Sequence, residues 1–297
     1  MAKELEGKVF LVTGATEGIG KVTALDLLRR GATVGIVGRN KEKTERVAEE
    51  LRAQSGSDAL EVYLGDMSLI AGIRGVASAF KAKHDRLDVL VNNAGGVFTD
   101  FQLTADGIER TFALNHLGYF LLTVELLDLL KKAGHARVVS TSSGAHALGD
   151  GIDLARIVKR DGLGYGAGGY RAYGESKLAN ILFTREVARR YGQFGITATC
   201  VHPGWVNTGF ALNNAGTILA KLTGLTAPLF ARTPAKGAET VIWAATSPEA
   251  ATLTGVYLHD KKVARTSKQA QDDALARDLW TLSEKVCAEA EPARKSA

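Results

Sequence analysis

Residues 9–28, VFLVTGATEGIGKVTALDLL, constrain the fold more than any other stretch of the chain. An apolar run over 9–12 stops at Thr13-Gly14, glycines follow at 14, 18 and 20, and a helical pattern then opens. The order is strand, glycine loop, helix. Glycine serves where the backbone turns sharply and must approach another group without a Cβ in the way. The N–H groups that open the next helix then face a negative ligand, and a diphosphate fits that description. Gly14, Thr16, Glu17, Gly18, Ile19 and Gly20 are the candidates to hold it.

The pattern repeats. Short β-branched runs at 33–37, 60–64, 87–91, 137–141 and 196–201 alternate with helical patterns at about 41–53, 73–83, 107–132 and 173–191, and 255–258 reads as a seventh strand. Such alternation predicts an α/β fold, a doubly wound, mostly parallel seven-stranded sheet with helices on both faces (Rossmann). Ligands then sit at the carboxyl ends of the strands. The apolar positions of 107–132 are too dense for one narrow stripe, so that helix is expected to be covered on more than one side. Thr233-Pro234 has the residue types of an N-cap and first turn, and a surface helix is expected from about Ser267.

Two segments interrupt the rhythm. The glycine-rich connection at about 148–170 contains a 153–160 piece with the pattern of a helical turn or two, and a substrate flap is expected at about 205–235. Its mostly apolar 210–230 core reads equally as a lid that excludes water and as a helix at a dimer interface.

At 297 residues with 45% hydrophobic content, the chain is read as a single dinucleotide-binding catalytic domain over 1–297. The net charge of +5 is spread along helices, which describes a solvated surface and not a nucleic-acid interface. Two cysteines make no disulfide framework, the start MAKELEGKVF has no signal core, and no apolar run has the length of a membrane span. A cytoplasmic protein with no membrane or nucleic-acid partner is expected. No His, Cys or carboxylate cluster has metal-ligand spacing, so no metal is expected.

The end of the second strand reads Val37-Gly38-Arg39-Asn40. An acidic residue there would bind the ribose hydroxyls of NAD, whereas a basic one pairs with the 2′-phosphate of NADP. Gly38 fills the acidic slot and Arg39 follows, with Asn40 beside it, so NADP(H) is the expected cofactor. Asp66-Met67 follows the third strand, where the aspartate suits either the adenine amino group or a helix N-cap. Asn93, Ala94 and Gly95, after the fourth strand, let the backbone run against a flat ligand or make an Asn-rich turn.

The chemistry is placed in Tyr173-Gly174-Glu175-Ser176-Lys177. Residues four apart on a helix share a face, and a nearby ammonium favours the phenolate, so Lys177 is expected to bring Tyr173 toward the range useful for acid/base work.

In chain order, Thr13-Gly14 with Gly18 and Gly20, Asn92-Asn93-Ala94-Gly95, Asn115, Ser142-Ser143, Tyr173 with Lys177, and Pro203-Gly204 resemble the classical short-chain dehydrogenases/reductases over residues 6–260. Asn115-His116-Leu117-Gly118, Ser142-Ser143-Gly144-Ala145-His146 and the run from Ser176 to Leu182 look most like the retinol dehydrogenase and related branch. The resemblance implies that Tyr173 is the general acid in reduction and the base in oxidation, with Lys177 tuning it and holding the nicotinamide ribose. It implies that Ser143 bonds the reacting oxygen and that Asn115 helps hold a water linking Lys177 to solvent. Pro203, Gly204, Val206 and Thr208 would border the nicotinamide, Thr208 binding its carboxamide. Ser142, His116 and His146 read as structural. The family also implies a homodimer or homotetramer through the helices at 107–132 and 173–191.

These readings give an NADP(H)-dependent carbonyl reductase or alcohol dehydrogenase acting on a largely apolar small molecule. An NAD-preferring alcohol dehydrogenase is the nearer alternative. A non-catalytic NADP(H)-sensing regulator, engaging a partner through 210–230, is the more distant one.

Overall fold

The computed structural model describes residues 3–148, 151–159, 165, 169–206 and 231–290. Its centre is a sheet of eight strands, β1 (Val9–Thr13), β2 (Thr33–Gly38), β3 (Leu60–Leu64), β4 (Val89–Asn92), β5 (Arg137–Thr141), β6 (Thr197–His202), β7 (Val256–His259) and β8 (Lys262–Val263). They lie in the order β3-β2-β1-β4-β5-β6-β7-β8. The first seven run parallel and β8 pairs antiparallel with β7. The seven strands expected are present, with one more. β8 is two exposed residues reached through Asp260 and Lys261 at φ 48° and 59°, a tight turn with no glycine and no apolar run to announce it.

Alternation along β1 shows why helices cover both faces. Leu11 belongs to the core shared with α3 (Ile70–Lys81), α5 (Gly118–Glu125), α7 (Tyr170–Tyr191) and α9 (Asp273–Glu289). Phe10 and Val12 point the other way, into a core shared with α1 (Gly18–Arg29), α2 (Lys41–Ser55) and α8 (Pro234–Thr246). A period of two on a parallel sheet sends neighbouring side chains to opposite cores.

The expected continuous helix over 107–132 is not one helix. It is a single turn, α4 (Arg110–Phe112), a π-helical turn (Ala113–Leu117), α5, and α6 (Leu127–Lys132) after a break at Leu126. Residues 153–157 form one turn, with Asp153 O accepting from Arg156 and Ile157. The last helix starts at Asp273, whose neighbour Asp272 caps it by accepting from Ala274 N and Leu275 N. Residues 207–230, including Thr208, lie outside the described residues. Arg232 N donates to Trp205 O at 2.7 Å and Val206 bridges Arg232, so the two ends of that segment meet. Among the described residues no helix is long and apolar enough to cross a membrane.

Candidate active site

The carboxyl ends of the parallel strands open into a cavity of about 1130 Å³. Gly14, Thr16, Glu17, Gly18, Ile19, Arg39, Asn40, Asp66, Met67, Asn93, Ala94, Gly95, Ser143, Tyr173, Lys177, Pro203, Gly204 and Val206 all line it. Gly20 and Asn115 do not line it: Gly20 packs against Gly14 and Asn93, and Asn115 bonds the backbone of Gly96.

At one end the first loop crosses close to the fourth strand. Gly14 sits at φ 64°, and a Cβ on it would lie 2.7 Å from Ala94 Cα, so only glycine fits. The crossing is fastened by Thr13, whose Oγ1 accepts from Asn93 N at 2.9 Å and Ala94 N at 3.0 Å, while Asn93 Nδ2 donates to Thr13 O at 3.1 Å. α1 follows with no side-chain cap on its first turn, which leaves its N–H groups available at the cavity. A Cβ at Gly38 would lie 2.1 Å from Thr44 Oγ1 and 2.8 Å from Thr16 Cγ2, so no carboxylate can stand there. Arg39 is exposed at the cavity edge, and among the described residues its guanidinium has no ion-pair partner. Asn40 caps α2 by accepting from Lys43 N at 2.8 Å. Asp66 is not an N-cap: its Oδ1 accepts from Ser68 N and Oγ at 2.8 and 2.7 Å, a local turn, and α3 starts only at Ile70.

At the other end Tyr173 is half-buried and Lys177 buried on one face of α7. Lys177 Nζ lies 5.6 Å from the Tyr173 ring centroid and donates to Thr141 O at 3.1 Å. Ser142 Oγ donates to Lys177 O at 2.8 Å and holds α7 against β5. Asn115, in the π turn, accepts from Gly96 N at 2.8 Å and donates to Gly96 O at 2.9 Å and Ser176 Oγ at 3.0 Å. His116 Nε2 pairs with Ser283 Oγ at 2.9 Å and His146 Nδ1 with Ser143 O at 2.8 Å, both away from the cavity. Beyond Tyr173 the wall becomes apolar, with Phe98, Leu114, Leu148, Tyr170 and Trp205. Among the described residues no group of His, Cys, Asp and Glu could hold a metal.

A family model described as short chain dehydrogenase matches residues 8–150, and one described as Enoyl-(Acyl carrier protein) reductase matches 157–260. Human "Retinol dehydrogenase 11" is 41% identical over 283 residues, covering 94% of this chain and 86% of that protein. The chain is a short-chain dehydrogenase/reductase of the retinol dehydrogenase-like branch. Human "Retinol dehydrogenase 14" is 37% identical over 94% of this short-chain dehydrogenase and 86% of its own length. Among solved structures, a protein from Mycobacterium Paratuberculosis superposes with TM-score 0.74 at 30% identity, covering 95% of this chain and 94% of that one. The Pseudomonas aeruginosa "RhlG/NADP active-site complex" gives 0.68 at 28% identity, covering 86% and 96%.

The electrostatics of this short-chain dehydrogenase differ from the simple expectation. Burial pushes Tyr173 up to about 12, outweighing the Ser143 hydrogen bond that pulls it down. Burial also brings Lys177 down to about 8. Desolvation disfavours whichever form is charged, so it drives a phenol and an ammonium in opposite directions. Three contributors escaped the sequence reading. Lys43 lines the cavity beside Arg39 and pairs with Glu17; its position in the first turn of a helix after Asn40 was the available signal. Thr13 and Thr141 act through a hydroxyl and a backbone carbonyl, roles that residue type does not announce.

Proposed function

We propose that this chain is an NADP(H)-dependent oxidoreductase that moves hydride between nicotinamide and a carbonyl or secondary alcohol on a largely apolar small molecule. The oxidoreductase class follows from the family. The choice of nucleotide rests on one observation: Gly38 is walled against any side chain while Arg39 presents a cation at the cavity edge. The uncapped start of α1 and the Gly14 crossing suit a diphosphate. Arg39, with Lys43 beside it, would hold the 2′-phosphate, and Lys177 would hold the nicotinamide ribose. Bound there, the nucleotide supplies or takes up hydride.

The protein's own part is proton transfer and orientation. Tyr173 gives a proton to the carbonyl oxygen in reduction and takes it back in oxidation. Ser143, whose hydroxyl bonds that phenol, stabilises charge on the same oxygen. Phe98, Leu114, Leu148, Tyr170 and Trp205 favour an apolar substrate, and the likeness to retinol dehydrogenases puts retinoids among the probes.

Purified protein mixed with NADPH or NADH and a panel of apolar ketones, aldehydes and retinal tests this by loss of nicotinamide absorbance. NADPH is expected to support turnover preferentially. Arg39→Asp should weaken NADPH by about ten-fold or more, the size of a lost charge-assisted contact, and leave NADH unchanged. Equal loss for both nucleotides would overturn the Arg39 assignment.

A further inference from the structure

β5 and β6 pair as far as Thr141 and Val201, and Ser142 N donates to Val201 O at 2.8 Å to close the ladder. Beyond that bond the strands part. Ser143 opens a short 3-10 turn over Gly144–Ala147, and Pro203, which has no N–H to extend a ladder, turns β6 away. The chain thereby leaves two loops on either side of the cavity, one carrying Ser143 and the other Pro203 and Gly204.

A side chain joins them where the ladder stops. His202 is the last residue of β6, and its Nδ1 accepts from Gly144 N at 3.3 Å and from Gly204 N at 3.3 Å. Gly144 opens its 3-10 turn, so its N–H has no partner within the turn itself. A ring nitrogen that receives two N–H groups carries no proton, which fixes the neutral tautomer with hydrogen on Nε2. The ring is held by β7: it stacks on His259 with centroids 4.6 Å apart and runs nearly parallel to Tyr257 at 6.3 Å. Burial keeps it neutral, pushing it down to about 4, with His259, Arg232 and His146 acting in the same direction and Asp260 against them.

We propose that His202 is a positioning residue, a neutral imidazole clasp that sets the spacing between the Ser143 loop and the Pro203-Gly204 loop. Its effect on the reaction passes through the Gly144 and Gly204 backbone, so that Ser143 meets the substrate oxygen in register with Tyr173. The clasp itself is read from geometry. Its effect on rate rests on Tyr173 and Ser143 serving the proton transfer proposed above, and not on the choice between NADP and NAD.

The test uses the full chain with His202→Asn, whose Oδ1 overlaps Nδ1 and can accept, and His202→Leu, which has similar bulk and no acceptor. Amide hydrogen exchange at Gly144 and Gly204 is expected to be slow in wild type and the Asn variant, and about five-fold faster in the Leu variant, the factor that one net hydrogen bond represents. With the best substrate of the panel, kcat should fall by about ten-fold in Leu and recover in Asn, while KM moves by less than about three-fold. Equal exchange in all three proteins overturns the clasp, whatever the turnover. Fast exchange in Leu with undiminished kcat overturns its positioning role. If the Leu variant does not fold, Gln takes its place, since its Oε1 overlaps Nε2 and cannot serve both N–H groups; equal protection in Asn and Gln is then the overturning result. Absence of turnover on every panel substrate would sink the proposed function and leave hydrogen exchange to decide the clasp.

Discussion

Tyr173 and Lys177 share one face of α7, yet burial acts on them oppositely, holding the phenol protonated with a pKa of about 12 and loosening the ammonium to about 8. At neutral pH Tyr173 is therefore protonated, as the proposed carbonyl reduction requires, and Lys177 keeps most of its charge. As pH rises through about 8, Lys177 loses that charge while Tyr173 keeps its proton. The kcat/KM for carbonyl reduction should be flat below neutrality and decline through about 8, whereas alcohol oxidation should keep rising with pH toward the Tyr173 value of about 12, because the phenolate fraction grows throughout that range. Profiles measured in both directions check this, and the absence of any inflection near 8 in reduction would count against Lys177 as the titrating group. Tyr173→Phe removes the proton without removing the ring. Turnover should drop by about a hundred-fold to ten-thousand-fold with nucleotide binding retained.

At the scale of elements, the π turn over Ala113–Leu117 is held from outside its own helix. Asn115 ties it to both backbone groups of Gly96 and to Ser176, and Ser176 Oγ in turn donates to Tyr173 O at 2.7 Å. Asn115→Leu keeps the volume but strands two buried backbone groups, at a cost of about 2–4 kcal/mol. The urea midpoint should fall accordingly, and turnover with it, because the helix bearing Tyr173 loses a fixed neighbour. An unchanged midpoint would show that the π turn is held by other means. The same bonds explain what the sequence could and could not disclose. β1 to β6 were legible because apolar β-branched runs between polar turns carry their own period. Residues 107–132 were not, since a segment apolar on most faces has no stripe to phase, and its breaks depend on partners such as Gly96. Tyr173, Lys177, Gly14 and Arg39 were readable from spacing and chemistry. His202 was visible only as the residue before Pro203, because its role arises from Gly144, 58 residues away.

At the scale of the whole molecule, the expected dimer or tetramer through 107–132 and 173–191 meets a covering element. α9 lies on α7 and buries Ala276, Leu279, Trp280, Ser283, Val286 and Cys287 along one face, the three- and four-residue spacing of an amphipathic helix. Trp280, 2% exposed, meets Phe120 edge-on at 4.9 Å and stacks with Phe183 at 6.1 Å, and the Arg190 guanidinium sits 4.5 Å from its ring. His116 fastens the same helix to the π turn through Ser283. A second copy approaching that side would meet α9 before α7. Trp280→Ala should cost about 3–5 kcal/mol, the penalty of emptying a large aromatic site. Deleting residues 273–297 should uncover Phe120 and Phe183, an apolar surface that water disfavours, and drive self-association. Sedimentation velocity of the full and shortened chains decides the matter. If both sediment with the same stoichiometry and the shortened chain stays folded, α9 is not what shields this face; if only the shortened chain associates, an oligomer of the full chain must form through another surface.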